Sequence, residues 1–211
     1  MAVHLIEQTD HYQLGIWKIE EDEAQLLELT GISESPKLAN AIRRQEYLAV
    51  RAMARVMGIE PTDIAYLPSG KPYLINHQST ISISHTKNFV AVLLSAHALA
   101  GVDVEHRSER IRKIRHKFMH PDEEHQLKQL SDPNSETVGL LLHWCAKESL
   151  FKAIPEEGVD FVQELRISHL TSLGWSGMCN GRFMRTNETF QIDYLIQDEF
   201  VLTCSFSTES K

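Results

Sequence analysis

Asp103 and Glu105 stand two residues apart in the stretch Gly-Val-Asp-Val-Glu, 101–105. Alternation with Val102 and Val104 reads as a strand, so both carboxylates point the same way, about 6.7 Å apart. Like charges at that spacing repel, and a divalent cation between them removes the conflict. Mg2+ takes carboxylate oxygens at about 2.0–2.1 Å and keeps positions open for water and substrate phosphate. A third carboxylate comes from a helix read over 140–154. At about 100° per residue, Leu140, Leu141, Trp144 and Phe151 share one face, and Glu148 falls inside that stripe with Lys147 at its border. A charge on a core face is costly unless paired. Lys152, one turn on, offers a helical ion pair worth about 0.3–0.5 kcal/mol. That pair explains the two charges but not their place on the stripe, whereas a metal ligand explains both. An isolated Asp-x-Glu is usually a solvated strand face; an embedded Glu148 weighs against that reading.

Such a metal site calls for phosphate, and phosphate calls for cations. Ser35 and Pro36 read as the N-cap and first residue of a helix running to Met57, with Gly58 as its stop. Lys37, Arg44, Arg51 and Arg55 then lie within about 40° of each other around it, opposite Leu38, Ile42, Ala49, Met53 and Val56, which read as core. This is either a phosphate-facing stripe or a solvated face paired with the acidic run 20–23. Ser69-Gly70-Lys71-Pro72 is not a Walker loop, because Pro72 forbids the helix that must follow. Ser84 and His85 close an alternating strand, and a strand tip is a place for phosphate donors. His116, His120 and His125 have a metal-like spacing, but Pro121 breaks the helical frame and no cysteine lies near.

The elements that would position these residues follow from periodicity. Residues 13–19 read as a strand and 20–29 as an acidic helix ending near Gly31. Residues 67–105 read as an antiparallel meander with short turns. Helices are read over 109–119, from Pro121, and over 137–153, with the most loop-like stretch at 131–136; the remainder is β-rich. Residues 80–96 and 189–207 share one pattern: alternating strand, polar turn, Phe, apolar strand. This points to two similar α+β halves, 1–100 and 101–211. The 211 residues carry a net charge of −8, which argues against general nucleic-acid binding. No run of about 18 apolar residues is present, so no membrane span is expected. The N-terminal residues show no secretory pattern. Three widely spaced cysteines fit a reduced, cytoplasmic setting.

Taken in order, Gly-Lys-Pro (70–72), Ser-Ile-Ser-His-Thr (82–86), Gly-Val-Asp-Val-Glu, an acidic residue about twenty positions later and Trp-Cys-Ala-Lys-Glu-Ser-Leu-Phe-Lys-Ala (144–153) resemble the 4'-phosphopantetheinyl transferase superfamily, in its single-chain, peptide-synthetase-activating form. The resemblance is specific over about 67–155 and rests on pattern alone outside it. It implies an α+β pseudo-dimer, each half a small antiparallel sheet packed with helices, with the active site in the cleft between them. It implies transfer of 4'-phosphopantetheine from coenzyme A to a serine of an apo acyl or peptidyl carrier protein, releasing 3',5'-ADP. By resemblance, Asp103, Glu105 and Glu148 are the ligands of Mg2+, with Mn2+ as the alternative. Lys152 and Lys147 go to the coenzyme A phosphates, Gly70, Lys71 and Pro72 to the adenine side, and Ser84 and His85 to phosphate. Arg51, then Arg44, is favoured for the 3'-phosphate. Glu123 is the expected base, with Glu124 beside it. His85 and Lys152 would add positive charge at the reacting diphosphate.

Six Lys or Arg residues and one acid between Arg107 and Lys117 make a dock for an acidic carrier, and two fused halves imply a monomer. A Mg2+-dependent hydrolase of a nucleotide diphosphate and a non-catalytic coenzyme A or carrier-binding module are the rival readings. Without metal the carboxylate cluster should be frustrated, with at least one pKa raised.

Overall fold

The computed structural model describes residues 3–75, 77–130 and 135–208, so the loop expected over 131–136 lies mostly outside the described residues. The chain divides into two α+β units, Met1–His97 and Ala98–Lys211. The first runs β1 (Val3–Gln8), β2 (Tyr12–Lys18), α1 (Glu23–Thr30), α2 (Ala41–Val56), β3 (Ile64–Tyr66), β4 (Pro72–Leu74), β5 (Thr80–Thr86) and β6 (Phe89–Ser95). Its main sheet has the order β1-β2-β6-β5, and β3 with β4 forms a separate hairpin. Leu48, Ala49, Ala52 and Met53 of α2 pack with Trp17, Val90 and Val92 of the sheet.

Helix α1 starts three residues later than the expected 20, because Asp22 and Gln25 form a reciprocal capping box, and ends as expected on Gly31, at φ 68. Helix α2 starts later than Ser35-Pro36. Asn40 Oδ1 accepts the N–H groups of Ile42 and Arg43, and so supplies the cap. The Ser35 hydroxyl is instead bonded to Glu23. The face taken as core on α2 is also corrected. Ala49 and Met53 are buried, but Ile42 is 64% exposed, and Leu38 and Val56 are exposed too.

The second unit runs β7 (Ala100–His106), α3 (Ile111–Ile114), which continues as one 3-10 turn, α4 (Pro121–Leu130), α5 (Glu136–Ala153), β8 (Leu165–Ser168), β9 (Ser176–Phe183), β10 (Glu188–Ile196) and β11 (Phe200–Ser207). Its sheet is antiparallel throughout, in the order β7-β11-β10-β9-β8. The helix expected over 109–119 is thus only a short turn of α-helix and a 3-10 turn.

Helix α5 is buried on nearly every side, with Leu140, Leu141, Leu142, Cys145 and Ala146 in one core. Its less buried edge carries Trp144, Glu148, Phe151 and Lys152. Glu148 therefore sits at the rim of the helix and not on its core stripe: a helix enclosed on most sides has no single apolar face for periodicity to find. The two stretches with a shared pattern form matching hairpins, β5–β6 and β10–β11. In each unit the second strand of that hairpin lies between the first strand and an earlier one, β2 or β7, that precedes the long helix. The molecule is α+β with antiparallel sheets, as its pattern indicated.

Candidate active site: carboxylates on one strand and one helix

Asp103 pairs with Thr203 across the β7–β11 ladder. Thr203 Oγ1 donates to the Cys145 carbonyl at 2.8 Å, so this side of the strand faces α5. Buried hydroxyls lock the contact: Thr203 Oγ1 lies 2.9 Å from Ser149 Oγ, which is 2.7 Å from Ser205 Oγ. Gly101 makes the close approach possible, since a Cβ there would lie 2.0 Å from the Ser149 carbonyl oxygen. With β7 and α5 this close and running in opposite directions, residues one turn earlier on the helix come level with the strand carboxylates.

Lys152 Nζ donates to Asp103 Oδ1 at 2.7 Å and to the Val102 carbonyl at 3.1 Å. The ion pair that the helix spacing suggested with Glu148 is therefore made with Asp103 instead. Trp144 Nε1 donates to Glu105 Oε1 at 2.7 Å, and its ring is wedged between Phe118 and Phe161. Trp144 was quoted in the signature but given no role; it orients Glu105. Glu148 makes no hydrogen bond or ion pair among the described residues.

Electrostatics bind the three carboxylates into one cluster. Burial first, then the charge of Asp103, push Glu105 up to about 7, with the Trp144 hydrogen bond and Lys152 opposing. Burial and then Asp103 likewise push Glu148 up to about 7, with Lys152 opposing and Glu105 adding to the rise. One lysine does not neutralise three neighbouring carboxylates, and the expected frustration falls on two of them. Among the described residues no three His, Cys, Asp or Glu side chains are already arranged to hold a metal ion. The chemistry of the group, three neighbouring carboxylates of which two are raised to about 7, suits a hard divalent cation.

Other expected site residues are placed differently. Glu123 is 1% exposed, and Lys147 is wholly buried. Lys147 Nζ donates to Glu123 Oε2 at 2.7 Å, the Phe118 carbonyl at 2.5 Å and the Phe161 carbonyl at 2.9 Å, which uses all three of its N–H groups. Glu123 also accepts from His120 N–H and Ile167 N–H, both at 2.8 Å. Both side chains are thus enclosed, and their polar atoms are engaged by each other and by backbone groups. Together they tie α4, α5 and β8. Glu124 is paired with Arg115.

In the first unit Arg51 is 4% exposed, stacked 3.4 Å from the Tyr47 ring centroid, and is not on an open cationic stripe. Arg44 is paired with Glu23 at 2.9 Å, and Arg55 donates to the Leu29 carbonyl. Arg44, Arg51 and Arg55 thus have local partners, and Lys37 lies before the helix, exposed. Ser84 is buried, while His85 is exposed at the strand end as expected. Arg43, passed over in the sequence, bonds both Glu46 at 2.8 Å and the His85 ring at 3.1 Å. The Arg43–Glu46 spacing of one helical turn was the available signal. Gly70, Lys71 and Pro72 form the β3–β4 turn, with Gly70 at φ 87, a left-handed conformation suited to glycine.

All three cysteines are buried. Burial raises the Cys145 thiol well above its ordinary range, and Cys179 to about 12. No described helix is long and apolar enough to cross a membrane.

A family model described as 4'-phosphopantetheinyl transferase superfamily matches residues 100–205, half of the chain. No curated protein matches.

Proposed function

Because the chain belongs to the 4'-phosphopantetheinyl transferase superfamily, we propose that it transfers 4'-phosphopantetheine from coenzyme A to a serine of an apo carrier protein, with Mg2+ and release of 3',5'-ADP. The observation that carries this reading is the half-buried Glu148, without a hydrogen bond, held near neutrality beside Asp103 and Glu105. Asp103, Glu105 and Glu148 would hold the cation, which when bound supplies Lewis-acid stabilisation of diphosphate oxygens. Lys152, fixed on Asp103 and the Val102 carbonyl, places a positive charge beside the same oxygens. Trp144 fixes the direction of Glu105.

The carrier serine oxygen forms a bond to the phosphorus on the pantetheine side. The bond to the 3',5'-ADP oxygen breaks, and the serine proton must leave. By resemblance Glu123 accepts that proton, which requires its bond to Lys147 to open. By resemblance, His85 and the Gly70–Pro72 turn contact coenzyme A, and Arg43, bonded to Glu46 and to the His85 ring, would hold His85 in place.

For the carrier, Arg110, Lys113 and Lys117 are the exposed cations of the basic stretch. Arg112 is spent on Glu109 and Glu136, and Arg115 on Glu124 and Glu136. An acidic surface on the carrier would dock on what remains. The test is intact-mass spectrometry of a panel of apo carrier proteins incubated with coenzyme A and Mg2+. One added phosphopantetheine, lost with Glu148→Gln and with EDTA, supports the proposal. Cleavage of coenzyme A without a carrier would indicate a hydrolase. Coenzyme A binding with no carrier modified would indicate a binding module.

A further inference from the structure

On the β8–β9 ladder Arg166 stands directly opposite Arg182. Their neighbours Leu165 and Phe183 point into the core with Leu150 of α5, so by the two-residue period both arginines lie on the sheet face turned away from α5. Ser168 and Asn180, the next pair on that side, are also in register, and Thr189 of β10 lies opposite Arg182. Like charges directly opposite each other in a ladder destabilise it. In a chain with 29 acidic and 21 basic residues, carboxylates to relieve the clash are not scarce. Yet a cavity of about 450 Å³ covers these residues, and among the described residues none of the side chains lining it is Asp or Glu.

The donors are arranged and not merely present. Arg166 is anchored through Nη1 to the Val162 carbonyl at 2.8 Å. Arg182 is exposed and makes no hydrogen bond or ion pair among the described residues. His169, at φ 58, enters the left-handed region at a conformational cost and lines the same cavity. Two guanidinium forks with hydroxyl and amide donors between them match the oxygens of a tetrahedral dianion, whereas a carboxylate needs only one fork. Asp103 lies on the other face of this sheet, so the cavity is separate from the carboxylate cluster.

We propose that this cavity is a binding site for a phosphate monoester group, clamped by Arg166 and Arg182, with Ser168 and Asn180 completing its hydrogen bonds. The test is a titration of the 15N-labelled full-length chain with phenyl phosphate and with inorganic phosphate, at ionic strength held constant with NaCl. Expected are saturable shifts of the Ser168, Asn180, Arg182 and Thr189 amides, with phenyl phosphate dissociating at about 1 mM or below. Arg182→Gln should weaken binding about tenfold or more, and Arg182→Lys by less, because it keeps charge but loses the fork. Arg182 is exposed, and an unchanged spectrum elsewhere confirms that the variant is folded. Tighter binding of phenyl phosphate assigns an organic phosphate to the site, and equal binding assigns free phosphate. Shifts that do not saturate, or equal affinity in Arg182→Gln and the parent, overturn the proposal.

Discussion

Gly101 is the residue on which the geometry of the carboxylate cluster most depends. A methyl group there meets two backbone atoms, the Ser149 oxygen at 2.0 Å and the Ala153 nitrogen at 2.9 Å, and neither can turn aside as a side chain can. Gly101→Ala should therefore cost about 3 kcal/mol in denaturant unfolding. It should also abolish transfer, because α5 must lift and carry Glu148 and Lys152 away from Asp103. The cluster also sets a pH dependence. Glu105 and Glu148 titrate near 7 in the folded chain against an ordinary 4.5. Between those values the folded state holds protons that the unfolded state has released, so stability falls as pH rises through that window. Metal-free protein should melt at a lower temperature at about pH 8 than at about pH 5, and Glu148→Gln should flatten that slope. Mg2+ should flatten it as well, by replacing the protons. A metal-free melting temperature that rises over the same interval would contradict the account.

At the scale of elements, the buried Lys147–Glu123 pair joins α5 to α4 and, through Ile167 N–H, to β8. Lys147→Met leaves a buried carboxylate without its cation and should destabilise by about 3–5 kcal/mol. The double variant Glu123→Leu, Lys147→Met should recover much of that loss, and a double-mutant unfolding cycle measures the difference. This pair also marks where the sequence stops being legible. That Asp103 and Glu105 share a strand face could be read because a strand period of two is a local rule, whereas the Lys152–Asp103 pair crosses from α5 to β7. That Glu123 and Lys147 consume each other depends on how α4 packs on α5, which no local period encodes. The same holds for Arg51. Its angle on α2 and the Tyr47 ring one turn before it were readable, but its burial depends on where the β3–β4 hairpin lies, as the bond to the Ile64 carbonyl shows. The start of α2 was misread because two capping residues competed, and Asn40 prevailed once Ser35 was bonded to Glu23.

For the molecule as a whole, charge is the property that sequence conveys most directly, and pairing is what it conceals. A net charge of −8 coexists with a short basic stretch of which Arg110, Lys113 and Lys117 stay exposed. Reversing Lys113 and Lys117 to Glu should raise KM for an acidic carrier severalfold with little change in kcat. The parent should lose carrier affinity as salt rises past about 0.15 M, where the screening length is about 8 Å. An unchanged KM in the double reversal would move the dock elsewhere. Two units of similar hairpin topology were legible as a repeated pattern; the order of strands around those hairpins was not, because ladder partners are chosen across long stretches of chain. The burial of all three cysteines bears on the chemistry in another way. Coenzyme A ends in a thiol, and under oxidising conditions it forms mixed disulfides with accessible protein thiolates. Here all three thiols are buried and burial disfavours the thiolates of Cys145 and Cys179, so the sulfhydryl-tipped donor of the proposed reaction would meet no exposed thiol to cap.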